Sequence, residues 1–247
     1  MNMEIIGPIL LSLIAGLSTL IGCLFIFIKV KNENNFIVYS LSFSMSIMIL
    51  LSIFDLIPES LKTILNNYNK VGYIISILTF SLGYQTVYFL NKISKIEESR
   101  SLYRVGVLSL ISLILHNIPE GIAVFLSSYK NIKLGIKLCI GIILHNIPEG
   151  IILSVPLFYS GKSRGQVLKY TMFASLSEPL GAIISYIFLK HFITDNILSL
   201  TLLFVSGLMI SISINEILKE TISYKKYKIM YSGILSAIII FFLISLI

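Results

Sequence analysis

The octapeptide LHNIPEGI occurs twice in this chain, at Leu115–Ile122 and again 29 residues later at Leu144–Ile151. His116 and Glu120 stand four apart, so on a helix both side chains leave one face, and Asn117, three before Glu120, shares that side. His145, Asn146 and Glu149 repeat the set. Neutral imidazole together with carboxylate and amide oxygens is a ligand set for Zn²⁺, Fe²⁺ or Mn²⁺. Two carboxylates shared between two imidazoles and two amides could bridge two ions. A single apolar-context histidine is usually a hydrogen-bonded packing residue; two in one repeated context favour coordination. Pro119 and Pro148 each remove a backbone donor and crowd the carbonyls of Leu115 and Leu144, which predicts a kink in each helix. Gly121 and Gly150 allow a neighbouring helix to come close.

A third carboxylate, Glu178, lies in the middle of another apolar stretch, followed by Pro179 and Gly181. An acid at the centre of a membrane helix costs roughly 3 kcal/mol. Three would cost about 9 kcal/mol, comparable with the whole net stability of a typical domain. A bound cation, shared protons or a water-filled cavity must offset that. Four further acids, Asp55, Glu59, Glu216 and Glu220, fall near the ends of apolar stretches, where solvation at the interface is the default. As two pairs at opposite ends they are also candidates for an outer entrance and an inner exit. His191 sits beside Lys190 and near Asp195, the setting of a solvated surface residue. Cys23 and Cys139 lie in apolar runs and read as small packing residues.

Elements able to hold these groups follow from composition. Hydrophobic residues make up 56% of the 247 and charged residues 13%, whereas a soluble domain is nearer half apolar and a quarter charged. Disorder, a nucleic-acid-binding domain and a secreted disulfide scaffold are excluded on the same ground. Eight apolar stretches are long enough to span a bilayer: Ile5–Ile28, Phe36–Ile57, Val71–Leu90, Val105–Ser127, Leu138–Tyr159, Val167–Leu189, Ile197–Ile217 and Ile229–Ile247. The connections are too short and uniform to separate domains, so one transmembrane domain over residues 1–247 is expected. The first stretch follows Met1-Asn2-Met3-Glu4, without the positive start of a secretory signal, and reads as a retained helix. Of the Lys and Arg residues, 13 lie in or beside the first, third, fifth and seventh connections and 6 elsewhere. Placing the basic side in the cytoplasm puts both termini outside. Lys130, Lys133 and Lys137 in the fourth connection pull mildly the other way.

The twin octapeptides occupy consecutive spans, so their helices run antiparallel, as in inverted-repeat transporters. A weaker echo at an offset of 161 aligns Phe43–Glu59 with Phe204–Glu220, setting Asp55 on Glu216 and Glu59 on Glu220. Spans 1–3 and 6–8 then form inverted halves around a central pair.

On these residues the chain resembles the ZIP (Zrt/Irt-like) family of divalent metal transporters, and within it the bacterial zinc-uptake branch. The resemblance covers essentially the whole chain: the two HNIPEG motifs, Ser177-Glu178-Pro179-Leu180-Gly181, and Ala15-Gly16-Leu17-Ser18-Thr19. It implies an all-α integral membrane protein, an inverted-repeat bundle of eight transmembrane helices with a central antiparallel pair of Pro-kinked helices. It also implies one metal site of His116, Glu120, His145 and Glu149 and a second of Asn117, Asn146 and Glu178, with Glu120 and Glu149 bridging. Spans 1, 4, 5 and 6 are expected to slide against the rest, and a homodimer is an assembly the family commonly forms. Many members carry a His-rich loop between spans 3 and 4; here Asn91–Arg104 has no histidine.

The expected function is import of Zn²⁺ across the cell membrane into the cytoplasm, with Fe²⁺, Mn²⁺ and Co²⁺ as further cargoes the ligand set suits. Metal is substrate here, with no prosthetic group, no nucleic acid and no nucleotide, since no G-x-x-x-x-G-K-[ST] loop occurs. The alternative is a zinc-dependent intramembrane hydrolase. That reading lacks an H-E-x-x-H motif, and a symmetric doubling suits a pathway better than one asymmetric reaction centre.

Overall fold

The computed structural model describes residues 3–94, 101–189 and 194–245, and every regular element among them is helical. The elements group into eight rods. The first comprises Met3–Leu17, Thr19–Cys23 and a 3-10 turn, Leu24–Phe27; the second, Glu33–Leu51, a π-helical turn Ser52–Leu56 and Ile57–Tyr68. The third is Val71–Ser94, the fourth Ser101–Lys130 and the fifth Ile132–Tyr159. The sixth joins Arg164–Ile184 to a π turn Ser185–Leu189, and the seventh joins Asp195–Ile212, a π turn Ser213–Ile217 and Leu218–Ser223. Tyr227–Ser245 is the eighth. Six rods are long and apolar enough to cross a bilayer by length and composition, and Tyr227–Leu243 is a shorter apolar helix. The sixth has the length, but its Ser and Thr residues and Glu178 dilute its hydropathy.

Polar residues between the rods start and stop them. The side chains of Asn32, Asn131, Ser163 and Thr194 each accept a bond from a backbone N–H in the first turn of the rod that follows, and Ser163 and Gln166 form a reciprocal box. Asn69, Gly161 and Lys225 take positive φ of 51°, 98° and 54° where the chain reverses after a helix. The second rod outruns its apolar stretch by eleven residues. Ile57–Tyr68 is amphipathic and buries only Ser60 and Ile64, so its length is invisible to a search for continuous apolarity.

The inverted repeat is written into the packing. Gly121 of the fourth rod lies against the Glu178 carbonyl of the sixth, and Gly150 of the fifth against the Thr19 carbonyl of the first. Gly181 meets the Ile118 carbonyl, and Gly22 meets that of Ile147. Each contact is carried onto its twin by an offset of 29 between rods four and five and of 159 between rods one and six. A Cβ at any of these glycines would strike backbone, so only glycine allows the approach. Around this group the third rod packs on the seventh and the eighth on the second. Two of the three π turns, Ser52–Leu56 and Ser213–Ile217, are related by the 161 offset that aligns the outer halves.

Two ends can be told apart. One, the basic face, carries the connections after rods one, three, five and seven. The other, the terminal face, carries the chain ends and the remaining connections. Between the rod centres and the basic face sits the largest hydrophobic cluster, including Met45, Leu108, Ile152, Val155, Leu208 and Met209.

Candidate functional site

Rods four and five run continuously through Pro119 and Pro148, so each proline leaves one carbonyl without its helical donor while the side chains before and after it stay on one face. His116 and Glu120 come from rod four, His145 and Glu149 from rod five. Glu120 Oε1 lies 2.9 Å from His116 Nε2 and 2.8 Å from His145 Nε2. His116 Nε2 is also 3.2 Å from Glu149 Oε1. The two imidazole rings are 6.1 Å apart, tilted by 53°. One ligand atom from each of His116, His145 and Glu149 falls within 4.8 Å of the others, which a single ion can span. His116, Glu120 and Glu149 are buried, and His145 is partly open.

The amides form a second layer, and the first and sixth rods aim them. Asn117 Nδ2 donates to the Ala174 carbonyl at 2.9 Å, and Asn146 Nδ2 donates to the Ala15 carbonyl at 2.9 Å. Each of those carbonyls also accepts a serine hydroxyl, Ser177 and Ser18 respectively, at 2.6 Å. With the amide nitrogen tied outward, the amide oxygen must face the other way. Asn146 Nδ2 reaches Glu178 Oε2 as well, at 3.0 Å. Glu178 has Glu120, Glu149 and His116 as electrostatic neighbours.

What remains is a concentration of unpartnered polar atoms. His116 Nδ1 and Nε2, Asn117 Oδ1, Glu120 Oε2, Asn146 Oδ1, both Glu149 oxygens and Glu178 Oε1 are buried with no aligned hydrogen-bond partner among the described residues. The short distances around His116 Nε2 are therefore close approaches without hydrogen-bond geometry. Leaving one such group unsatisfied costs about 1–3 kcal/mol; eleven Ser and Thr hydroxyls are also without a partner among the described residues, but the ionisable and amide atoms all fall in this cluster. Imidazole nitrogen with carboxylate and amide oxygen suits a borderline first-row cation. The donor set lacks a thiolate: Cys23 and Cys139 are free and buried, and Cys139 Sγ donates instead to the Leu11 carbonyl.

A cavity of about 580 Å³ runs from His145 and Pro148 past Gly141 to Asp55, Glu59 and Lys137 at the terminal face. Asp55 and Glu59 are exposed there, and Asp55 is an electrostatic neighbour of His145. Their repeat partners differ. Glu216 and Glu220, expected to be solvated at a helix end, are buried, and Arg104 Nε meets Glu216 Oε2 at 2.9 Å. Glu220 borders a separate cavity of about 560 Å³ at the basic face with Tyr103, Lys162 and Tyr224, and no residue of the His/Glu cluster lines it. His191 and residues 95–100 of the span 3–4 connection lie outside the described residues.

Sequence reasoning missed several members of this arrangement. Ala15 and Ser18 on one side, Ala174 and Ser177 on the other, position the amides and are related by the 159 offset. The signal was the recurrence of Ala-x-Leu-Ser in rods one and six. The same offset sets Thr19 on Glu178; Thr19 is fully buried and its hydroxyl has no hydrogen-bond partner among the described residues. Arg104, at the start of rod four beside a connection, carries no mark in the sequence of its buried partner Glu216.

Comparison with known proteins accords with this geometry. Residues 95–246 match the family model described as ZIP Zinc transporter. Curated relatives bearing the name Zinc transporter ZupT include one from Chlorobium luteolum, 34% identical over 93% of both chains. Another, from Chlorobium limicola, is 36% identical over 91% of both chains. One from Streptococcus mutans is 32% identical over 97% of both chains.

Proposed function

The chain belongs to the ZIP zinc-transporter family, and on that premise we propose that it imports Zn²⁺ into the cytoplasm through the cluster of His116, Asn117, Glu120, His145, Asn146, Glu149 and Glu178. The observation that supports this site most strongly is the set of buried side-chain nitrogens and oxygens from rods four, five and six that converge with no hydrogen-bond partner among the described residues. Fe²⁺, Mn²⁺ and Co²⁺ suit the same donors. His116, Glu120, His145 and Glu149 form one ligand group and Asn117, Asn146 and Glu178 the other, with Glu120 and Glu149 between them.

With the basic face in the cytoplasm and both termini outside, the 580 Å³ cavity opens outward. Asp55 and Glu59 then stand at its mouth, where negative charge concentrates cations. Metal exchanges water for imidazole and carboxylate on reaching His145. Passage inward requires the apolar cluster and the Arg104–Glu216 contact on the basic side to part. The glycine-mediated contacts tie rods one, four, five and six into a unit that moves against rods two, three, seven and eight. We place the chain in the membrane as a single transmembrane unit able to pair as a homodimer. A hydrolase reading is set aside, because ZIP zinc transporters are transporters and not enzymes.

Uptake of radiolabelled Zn²⁺ by proteoliposomes tests the function. The protein should exceed empty vesicles, and Glu120→Ala or His145→Ala should abolish the excess. Uptake equal to empty vesicles contradicts the transporter, and full uptake by both variants contradicts the site.

A further inference from the structure

Residues related by the inverted repeat occupy opposite states at the two faces. At the terminal face Asp55, Glu59, Lys133 and Gly141 are all exposed. Their counterparts toward the basic face are Glu216, Glu220, Arg104 and Ser112, by offsets of 161 for the acids and 29 for the others. Glu216, Glu220 and Ser112 are 4%, 7% and 3% exposed, and Arg104 reaches Glu216 at 2.9 Å. This contact ties rod four, which belongs to the group carrying the His/Glu cluster, to the π turn of rod seven, which belongs to the other group. π turns recur where helices serve function, and this one presents the carboxylate inward. Asp55 occupies the matching position in the matching π turn of rod two. Lys137, one turn from Lys133 on the same face of rod five, already lines the cavity with Asp55 and Glu59.

In an inverted-repeat transporter, exchanging the conformations of the halves produces the opposite access state. We infer that Arg104 and Glu216 form a latch that holds the basic face closed, and that Lys133 and Asp55 form the equivalent latch at the terminal face when the basic face opens. The inference rests on the transport reading, but its test needs no metal. The two pairs carry the same signs of charge in the same register, so closing one face compensates the ion pair lost at the other. Arg104 is thus a positioning residue: it touches no cargo and sets which face the cluster sees.

Two single-thiol reporters in a Cys23→Ser/Cys139→Ser background read the state directly. Gly141→Cys lies on the outer cavity, where a Cβ meets nothing within 4 Å. Its repeat partner Ser112→Cys is buried. In detergent without metal, a maleimide should label position 141 rapidly and position 112 slowly. Arg104→Gln should slow the first at least threefold and speed the second at least threefold. Because a lone Glu216 carboxylate could destabilise the fold, Arg104→Gln/Glu216→Gln removes both charges and should shift the rates the same way. Adding Lys133→Gln to either should return both rates toward the parent. If both rates stay within twofold of the parent in the double-neutral variant, the inner latch is wrong. If Lys133→Gln fails to reverse the shift, the outer pairing is wrong. Loss of Zn²⁺ uptake by the unaltered protein would instead count against transport, leaving these labelling rates meaningful.

Discussion

Asn146 and Asn117 occupy equivalent repeat positions, yet they are not energetically equivalent. Each donates to one carbonyl at 2.9 Å that also holds a serine hydroxyl. Asn146 alone also donates to Glu178, at 3.0 Å. Replacing either with Leu, which keeps the branching but is bulkier, removes an amide oxygen from the cluster and one amide–carbonyl bond. The difference between the variants therefore isolates the bond to the carboxylate. Side-chain hydrogen bonds inside membrane proteins average about 0.6 kcal/mol with a maximum near 1.7, and bonds to charged groups lie at the upper end. Asn117→Leu should thus cost about 0.6 kcal/mol and Asn146→Leu about 2 kcal/mol. For a chain of this size the gap of about 1.5 kcal/mol corresponds to roughly 3–6 °C in unfolding temperature. Thermal unfolding in detergent without metal measures it, and Glu178→Ala supplies the control background, in which the gap should close. Equal losses from the two asparagines, or a gap that survives without Glu178, would refute the assigned role of the amide.

That asymmetry also shows what could be read from sequence. His116, Glu120, His145 and Glu149 were legible because ionisable groups at mid-span are costly and their spacing repeats letter for letter. The amide-holding residues were hidden because a backbone carbonyl is the acceptor at Ala15 and Ala174, and a carbonyl leaves no mark on residue identity. Thr19 and Glu178 share a place in the fold without sharing chemistry. Burial of Glu216 and Glu220 was illegible for another reason: proximity to a helix end predicts solvation only if no other helix covers that end. The extension of rod two to Tyr68 escaped because amphipathic turns break an apolar run without breaking a helix.

Gly121→Leu or Gly150→Leu drives a side chain into the backbone of the neighbouring rod. Each should lower stability by about 1–3 kcal/mol and abolish uptake, read by thermal unfolding and liposome flux. Neutralising Asp55 and Glu59 together should reduce initial Zn²⁺ uptake several-fold at low ionic strength and much less at high salt, because charges at an exposed mouth are screened; a salt-independent loss would contradict steering. At the basic face, burial, reinforced by the charge of Glu220, pushes the Tyr224 phenol up to about 12. The folded protein then holds that proton where the unfolded chain, near 10, releases it. Stability should fall as pH rises from about 10 to 12, and Tyr224→Phe should flatten that decline in alkaline unfolding curves.

The central claim is that imidazole and oxygen from rods four, five and six receive the cargo, and X-ray absorption at the zinc edge of the loaded protein tests it most directly. A first shell of nitrogen and oxygen at roughly 2.0–2.2 Å with imidazole scattering is predicted, and that scattering should vanish in His116→Ala/His145→Ala. A sulfur shell near 2.3 Å, or imidazole scattering that persists in the double variant, would contradict the account.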